Sequence, residues 1–283
     1  MQKFNRRQFI AAGAAAVGAA SMNAPVLAES ATSSTFKNRI ALASYSIWRF
    51  QDGLKKQMEE CIDLAAEWGF DGLDVLHIQM DKTDDAYLQK IKRHALINGI
   101  DLCGLSIHQG FVTPDKEKRQ KNIDHTIDMI EMAYKLGIPC LRLNTGRWGV
   151  ISFRELMDNR GIEPTLDGYS EDDAYPWVID AIEKILPTAE KCGVLLALEN
   201  HWGLARTPEG MMRIFKAVDS PWLQMLMDTG NFLEEPYEKL EMIAPHTAFV
   251  QAKTYYGGGT YYTIDLDYDK IAAILKKQNY RGY

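Results

Sequence analysis

"EWGFDGLDV" at residues 67–75 decides the fold, because its pattern returns as "INGIDLCGL" at 97–105, "KLGIPCLRL" at 135–143 and "KCGVLLALE" at 191–199. Each time a glycine closes a helical stretch, a Phe, Ile or Val follows, and an apolar run begins. Glycine adopts the left-handed conformation that stops a helix. The apolar run suits a strand buried on both faces. Upstream of the glycines the apolar residues keep helical spacing: Leu54, Met58, Cys61, Ala65 and Trp68, or Ile123, Ile127, Ile130 and Tyr134. Helix, glycine and buried strand in repetition mark a parallel sheet with helical crossovers.

Carried along the chain, this reading predicts strands near 39–46, 72–78, 101–107, 140–145, 194–199, 223–228 and 247–253. Helices are expected near 54–68, 84–98, 117–136, 172–192, 208–218, 235–244 and 268–279. The units run without a break, and no glycine-rich nucleotide fingerprint follows the first strand. The expected fold is α/β, a TIM (β/α)8-type barrel over residues 39–283. Residues 146–171 are too long for an ordinary connection and are expected to form an inserted lid. The closing "QNYRGY" at 278–283 looks like a last helix turning into an eighth strand that the sequence lacks. That predicts an open barrel, a gap between strands 1 and 7, and little or no catalytic turnover by these 283 residues alone.

The first residues belong to another story. "NRRQFI" at 5–10 sets two arginines before the weakly hydrophobic "FIAAGAAAVGAASM" at 9–22, and "VLA" precedes Glu29. The stretch resembles a twin-arginine signal peptide cleaved after Ala28, followed by a flexible spacer at 29–38. Export to the periplasm or beyond is the expectation. No stretch reaches the ~18 apolar residues of a spanning helix, so no integral membrane segment is expected after cleavage. A net charge of −6 and a pI near 5.6 give no global field for nucleic acid. The four cysteines, Cys61, Cys103, Cys140 and Cys192, show neither metal spacing nor a disulfide framework and read as thiols.

In such barrels chemistry gathers at the C-terminal ends of strands. Those ends carry His77, His108, Asn144 with Arg147 and Trp148, Glu199 with His201 and Trp202, Asp228 with Asn231, and Gln251 with Lys253. A carboxylate closing a buried strand, as Glu199 does, needs a partner. A core Arg or Lys would serve, and so would a ligand.

"LALENHWG" at 196–203, "MLMDTGNF" at 225–232, "FVQAKTYY" at 249–256 and "QNYRGY" resemble strands of the sugar phosphate isomerase/epimerase family, the xylose-isomerase-like barrels. The resemblance implies one divalent metal held by a Glu ending strand 5, an Asp ending strand 6, a His on strand 7 and a Glu on strand 8. Glu199 and Asp228 match the first two, Gln251 stands in the third place, and the sequence stops before the fourth. Two carboxylates and an amide oxygen favour Mg²⁺ or Mn²⁺ over Zn²⁺. The implied activity is isomerisation or epimerisation of a small sugar or keto-sugar through an enediolate. Glu199 would move the proton, His108 and His201 would polarise oxygens or relay protons, and Lys253 would neutralise developing charge. His77, Asn144, Arg147, Trp148, Trp202, Asn231 and Tyr255 would bind substrate, with Trp48 and the 254–262 loop as aromatic wall and cover. Two alternatives stay open: a metal-dependent lyase or hydratase acting on 3-keto-glycosides, and a non-catalytic sugar-binding barrel. The expected partner is a small carbohydrate, with no nucleic acid, and a homo-oligomer is compatible with the sequence.

Overall fold

The computed structural model describes residues 38–253 and 266–283. The expected leader, Tyr255 and the whole of the glycine-rich 254–262 loop lie outside them. Among the described residues, seven parallel strands follow in the order β1 to β7: Ala41–Ala43, Gly72–Leu76, Asp101–Ser106, Cys140–Leu143, Leu195–Glu199, Leu223–Asp228 and Thr247–Gln251. The helices are α1 (Ser44–Trp48), α2 (Met58–Glu67), α3 (Asp85–Asn98), α4 (Lys116–Leu136), α5 (Phe153–Asp158), α6 (Glu171–Cys192), α7 (Pro208–Val218), α8 (Pro236–Ile243) and α9 (Tyr268–Lys277).

Gly99, Gly137 and Gly193 cap α3, α4 and α6 in the left-handed region, and each cap N–H reaches back to the last turn of its helix. The start of α2 departs from the periodicity. Gln57 and Glu60 form a capping box that begins the helix at Met58, which leaves Leu54 outside it and exposed. Trp68 and Tyr134, expected on buried faces, are exposed as well. The first strand is shorter than predicted, because the chain turns into α1 at Ser44. There the hydroxyl accepts from the Leu76 N–H at 2.9 Å.

The main core lies between sheet and helices, with residues such as Leu73, Leu105, Ile130, Ile182 and Ile214 almost wholly buried. A second, small cluster of Cys103, Cys140, Ala197, Leu226 and Phe249 is built from strand residues alone. Two residues further along four of these strands stand Arg142, Glu199, Asp228 and Gln251. Side chains two apart on a strand share a face. The same face that fills the barrel floor with apolar atoms therefore presents charge one layer higher.

β1 and β7 do not pair with each other among the described residues, so the sheet stays open between them. The C-terminal residues begin to occupy that edge. Val250 N donates to Tyr283 O at 3.1 Å. The Tyr283 hydroxyl donates to Asp101 at 2.6 Å, and the Arg39 guanidinium stacks 4.3 Å from its ring. No described helix is long and apolar enough to cross a membrane. The four cysteines are free thiols, and all but Cys192 are buried.

Candidate active site

Glu199 ends β5 and Asp228 ends β6, two residues out of register: Glu199 lies opposite Leu226, and Asp228 lies opposite Gln251 of β7. Both carboxylates are buried, and the charge of Glu199 is felt at Asp228. Each faces a cation. Arg142 Nε lies 3.7 Å from Glu199 Oε2, and Lys253 Nζ lies 3.5 Å from Asp228 Oδ2. The reading of Glu199 as the partner of a core arginine and its reading as half of a carboxylate pair are therefore both present in one arrangement.

Asn231 bridges the halves. Its Nδ2 donates to Glu199 Oε1 at 3.3 Å, and its Oδ1 accepts from Lys253 Nζ at 2.5 Å. Asn200 exchanges two hydrogen bonds with the Asp228 backbone, at 2.6 and 2.9 Å, and fixes the end of β6. Gly230 has a spatial reason: a Cβ there would stand 2.5 Å from Lys253 Cδ, so only glycine lets the lysine stem cross.

Burial dominates the electrostatics. Desolvation raises the pKa of both Glu199 and Asp228, while Arg142 and Lys253 respectively oppose it. His201 is pushed down to about 3, first by desolvation and then by Arg142 and Lys253. His108 stands open at the mouth with protein behind it. It is pushed down to about 4 by desolvation, then by Arg142 and His77. His77 is lowered by burial and by His125, whose ring lies 5.5 Å away. His125 sits on α4, so a helical histidine reaches the rim. The histidines of the site are thus neutral near pH 7 and able to donate hydrogen bonds without adding charge. His77 Nδ1 and Asn144 Oδ1 are buried with no hydrogen-bond partner.

Three side chains expected at the substrate make contacts that seat the insertion. Arg147 binds Glu163 at 2.9 Å and the Ile151 carbonyl at 3.1 Å. Trp148 packs edge-on against Trp177 of α6, 6.0 Å away. Trp202 is buried with Leu156 and Met157 of α5. Each is held because the insertion has its own helix, started by a Ser152–Glu155 capping box, and needs anchors. Trp48 meets Phe50 edge-on at 4.9 Å, and Phe50 lies 6.2 Å from His108 at the mouth.

Three residues of the site went unnoticed in the sequence: Asp74, Ser106 and Arg142. Asp74 and Ser106 are buried, Ser106 Oγ donates to the Asp74 carboxylate at 2.9 Å, and Arg142 is its nearby counter-charge. Their signal was a polar or charged residue inside an otherwise apolar strand, as in "GLDVL" and "CLRL".

No group of three or more His, Cys, Asp and Glu side chains gathers as a metal cluster among the described residues. The donors that are present nonetheless suit a hard cation. Glu199 Oε2 is buried without a hydrogen-bond donor, Asp228 stands beside it, and Gln251 pairs in register with Asp228. Gln251 Nε2 donates to Asp74 at 3.3 Å and to Ser106 at 3.4 Å, so the amide nitrogen is spoken for and the oxygen is the end that could ligate.

The buried carboxylate pair, two cations and neutral histidines gather at the strand ends, where parallel β/α barrels place their functional side chains. The chain belongs to the xylose isomerase-like TIM barrel family, which it matches over residues 62–283. No curated protein sequence matches it. Among solved structures it is similar to the 3-keto-D-glucoside 4-epimerase YcjR from E. coli. Identity is 18%, 87% of this chain and 90% of that one are covered, and the TM-score is 0.69. L-ribulose 3-epimerase gives 18% identity, coverage of 87% and 80%, and a TM-score of 0.68. D-psicose 3-epimerase from Clostridium cellulolyticum H10, in a structure with D-tagatose, gives 17%, 87% and 83%, and 0.67. At such identities the likeness is one of fold.

Proposed function

We propose that the protein is an isomerase or epimerase of a small keto-sugar that works through an enediolate. Glu199, Asp228 and the Gln251 carbonyl would hold one divalent cation, Mg²⁺ or Mn²⁺. The observation that carries this reading is the buried Glu199–Asp228 pair with Glu199 Oε2 lacking a hydrogen-bond donor. A cation bound there would polarise the substrate carbonyl and stabilise the negative oxygen.

The chain's own groups do the rest. Burial makes the Glu199 carboxylate a stronger base than an exposed one, as proton abstraction beside a carbonyl requires. Glu199 takes the proton from carbon, the C–H electron pair becomes the C=C bond, and the carbonyl electrons move to oxygen. The Lys253 ammonium, 3.5 Å from Asp228, lies where it can meet that charge. Neutral His108 and His201 donate hydrogen bonds to substrate oxygens. His77 Nδ1 and Asn144 Oδ1, buried and unpartnered, suit sugar hydroxyls. Tyr255 is retained as a substrate contact from the sequence alone. The "NRRQFI" leader supports export, where an unphosphorylated sugar is the fitting substrate.

The test is solvent exchange. The Mn²⁺-loaded protein is incubated in D₂O with a panel of ketoses and 3-keto-glycosides, followed by NMR. The expected result is deuterium at the carbon beside the carbonyl of one class, lost in Glu199→Gln. Exchange needs only one base, so it reports proton abstraction even where epimerisation is not completed. Loss of a β-leaving group would instead identify the lyase. No exchange with any member of the panel would contradict the proposal.

A further inference from the structure

We infer that Asp74 is a positioning residue for Gln251: it dictates that this amide turns its oxygen, and not its nitrogen, toward the carboxylate pair. The inference rests on the proposed role of Gln251 as a cation ligand. It adds a residue that the metal reading does not contain.

A glutamine side chain has donors at one end and an acceptor at the other, and nothing in its shape chooses between them. Its hydrogen-bond partners do. A carboxylate only accepts, so the end of Gln251 that meets Asp74 Oδ2 at 3.3 Å is Nε2. Ser106 reinforces the choice. Its hydroxyl hydrogen is directed to Asp74, with oxygen distances of 2.9 and 3.1 Å, which leaves lone pairs for Nε2 at 3.4 Å. With both donor contacts made on one side, Oε1 faces away from Asp74. Groups behind a ligand commonly fix its orientation and strength in this way.

The seat of Asp74 is purpose-shaped. The β2–β3 register shifts between Leu73 and Asp74, an irregularity of the kind that re-aims a side chain. Opposite it stands Gly104, where a Cβ would lie 2.7 Å from Asp74 Oδ1 and 3.1 Å from the Phe249 ring. Arg142 supplies the counter-charge that opposes the desolvation of Asp74, and the same arginine faces Glu199. A buried carboxylate that bound nothing of consequence would be a costly ornament in this position.

The experiment titrates Mn²⁺ alone into the protein and its variants by EPR, with melting temperature read in parallel. In Asp74→Asn either end of the new amide can face Gln251, so the orientation is no longer dictated. Mn²⁺ affinity should fall about tenfold or more. The double variant Asp74→Asn/Gln251→Glu exchanges amide and carboxylate and restores a donor–acceptor pair. It should bind Mn²⁺ more tightly than either single variant. A folded Asp74→Asn protein with wild-type affinity but a lowered melting temperature would overturn the inference and leave Asp74 a merely structural residue. So would a double variant no better than Gln251→Glu alone. If Asp74→Asn does not fold, Ser106→Ala takes its place, with a few-fold weaker affinity expected and an unchanged one contradicting. Absence of Mn²⁺ binding by the wild type would fell the metal reading and this inference together. Wild-type binding with an indifferent Asp74→Asn fells this inference alone.

Discussion

Glu199 and Asp228 face each other from the ends of neighbouring strands, each with its own cation: Arg142 at 3.7 Å from one, Lys253 at 3.5 Å from the other. Two buried negative charges side by side repel, and the fold tolerates them only because these cations stand close. An arrangement that strains the protein in this way is a mark of function over stability.

Glu199→Gln should therefore kill exchange and stabilise the protein. The native pKa of Glu199 is raised above its unfolded value. The folded state thus holds its proton longer, and stability from this group is present at low pH and lost as pH rises through the native pKa. Above the unfolded value that loss is a net cost, which the amide avoids. A gain of about 1 kcal/mol would appear as roughly 2–4 °C in melting temperature. Exchange at the substrate carbon should fall about 10²–10⁴-fold.

The histidines set an acid limb of opposite sign. His201 and His108 titrate at about 3 and about 4 in the native state, against about 6.5 unfolded. As pH falls through 6.5 the unfolded chain gains protons that the native one refuses, so stability drops from there down toward 4 and 3. Solvent at the open side of His108 makes its share the smaller. Urea midpoints measured from pH 7 to 4 should fall, and His108→Gln/His201→Gln should flatten that fall by roughly 2 kcal/mol. An unchanged slope would mean that the rings charge freely in the fold.

One of the insertion's contacts depends on a glycine. Gly161 has φ of +78° and lies so close to Trp202 that a Cβ would stand 2.6 Å from the indole. Gly161→Ala combines backbone strain with a clash against a buried ring and should cost about 1–3 kcal/mol locally. Limited proteolysis should then cut within 146–171 faster than in the wild type, with the barrel otherwise intact. Equal cleavage rates would show that the insertion is not held through Trp202.

Much of this was legible in the sequence because two local rules coincide. Glycine after a helix and an apolar run after the glycine located β2 to β5, and strand ends pointed to Glu199, Asp228, Asn231 and Lys253. What escaped was non-local. Asp74 meets Gln251 across 177 residues of sequence. Only barrel curvature brings β2 against β7 through the interior, where no neighbour in sequence announces the contact. Arg142 hid for a related reason, since one charge in "CLRL" finds its partner on the next strand. The packing of Arg147 and Trp148 was not legible either. Their residue types suit a sugar, but Glu163, Tyr169 and Trp177 reach them first.

The measurement that bears most directly on the central claim is Mn²⁺ titration followed by EPR on the wild type, Glu199→Gln and Asp228→Asn. If the facing carboxylates are a cation seat, the wild type saturates at about one ion per chain. Each single variant should then lose affinity by at least about tenfold. Saturable binding that neither substitution weakens, or no saturable binding by the wild type at all, would contradict the account.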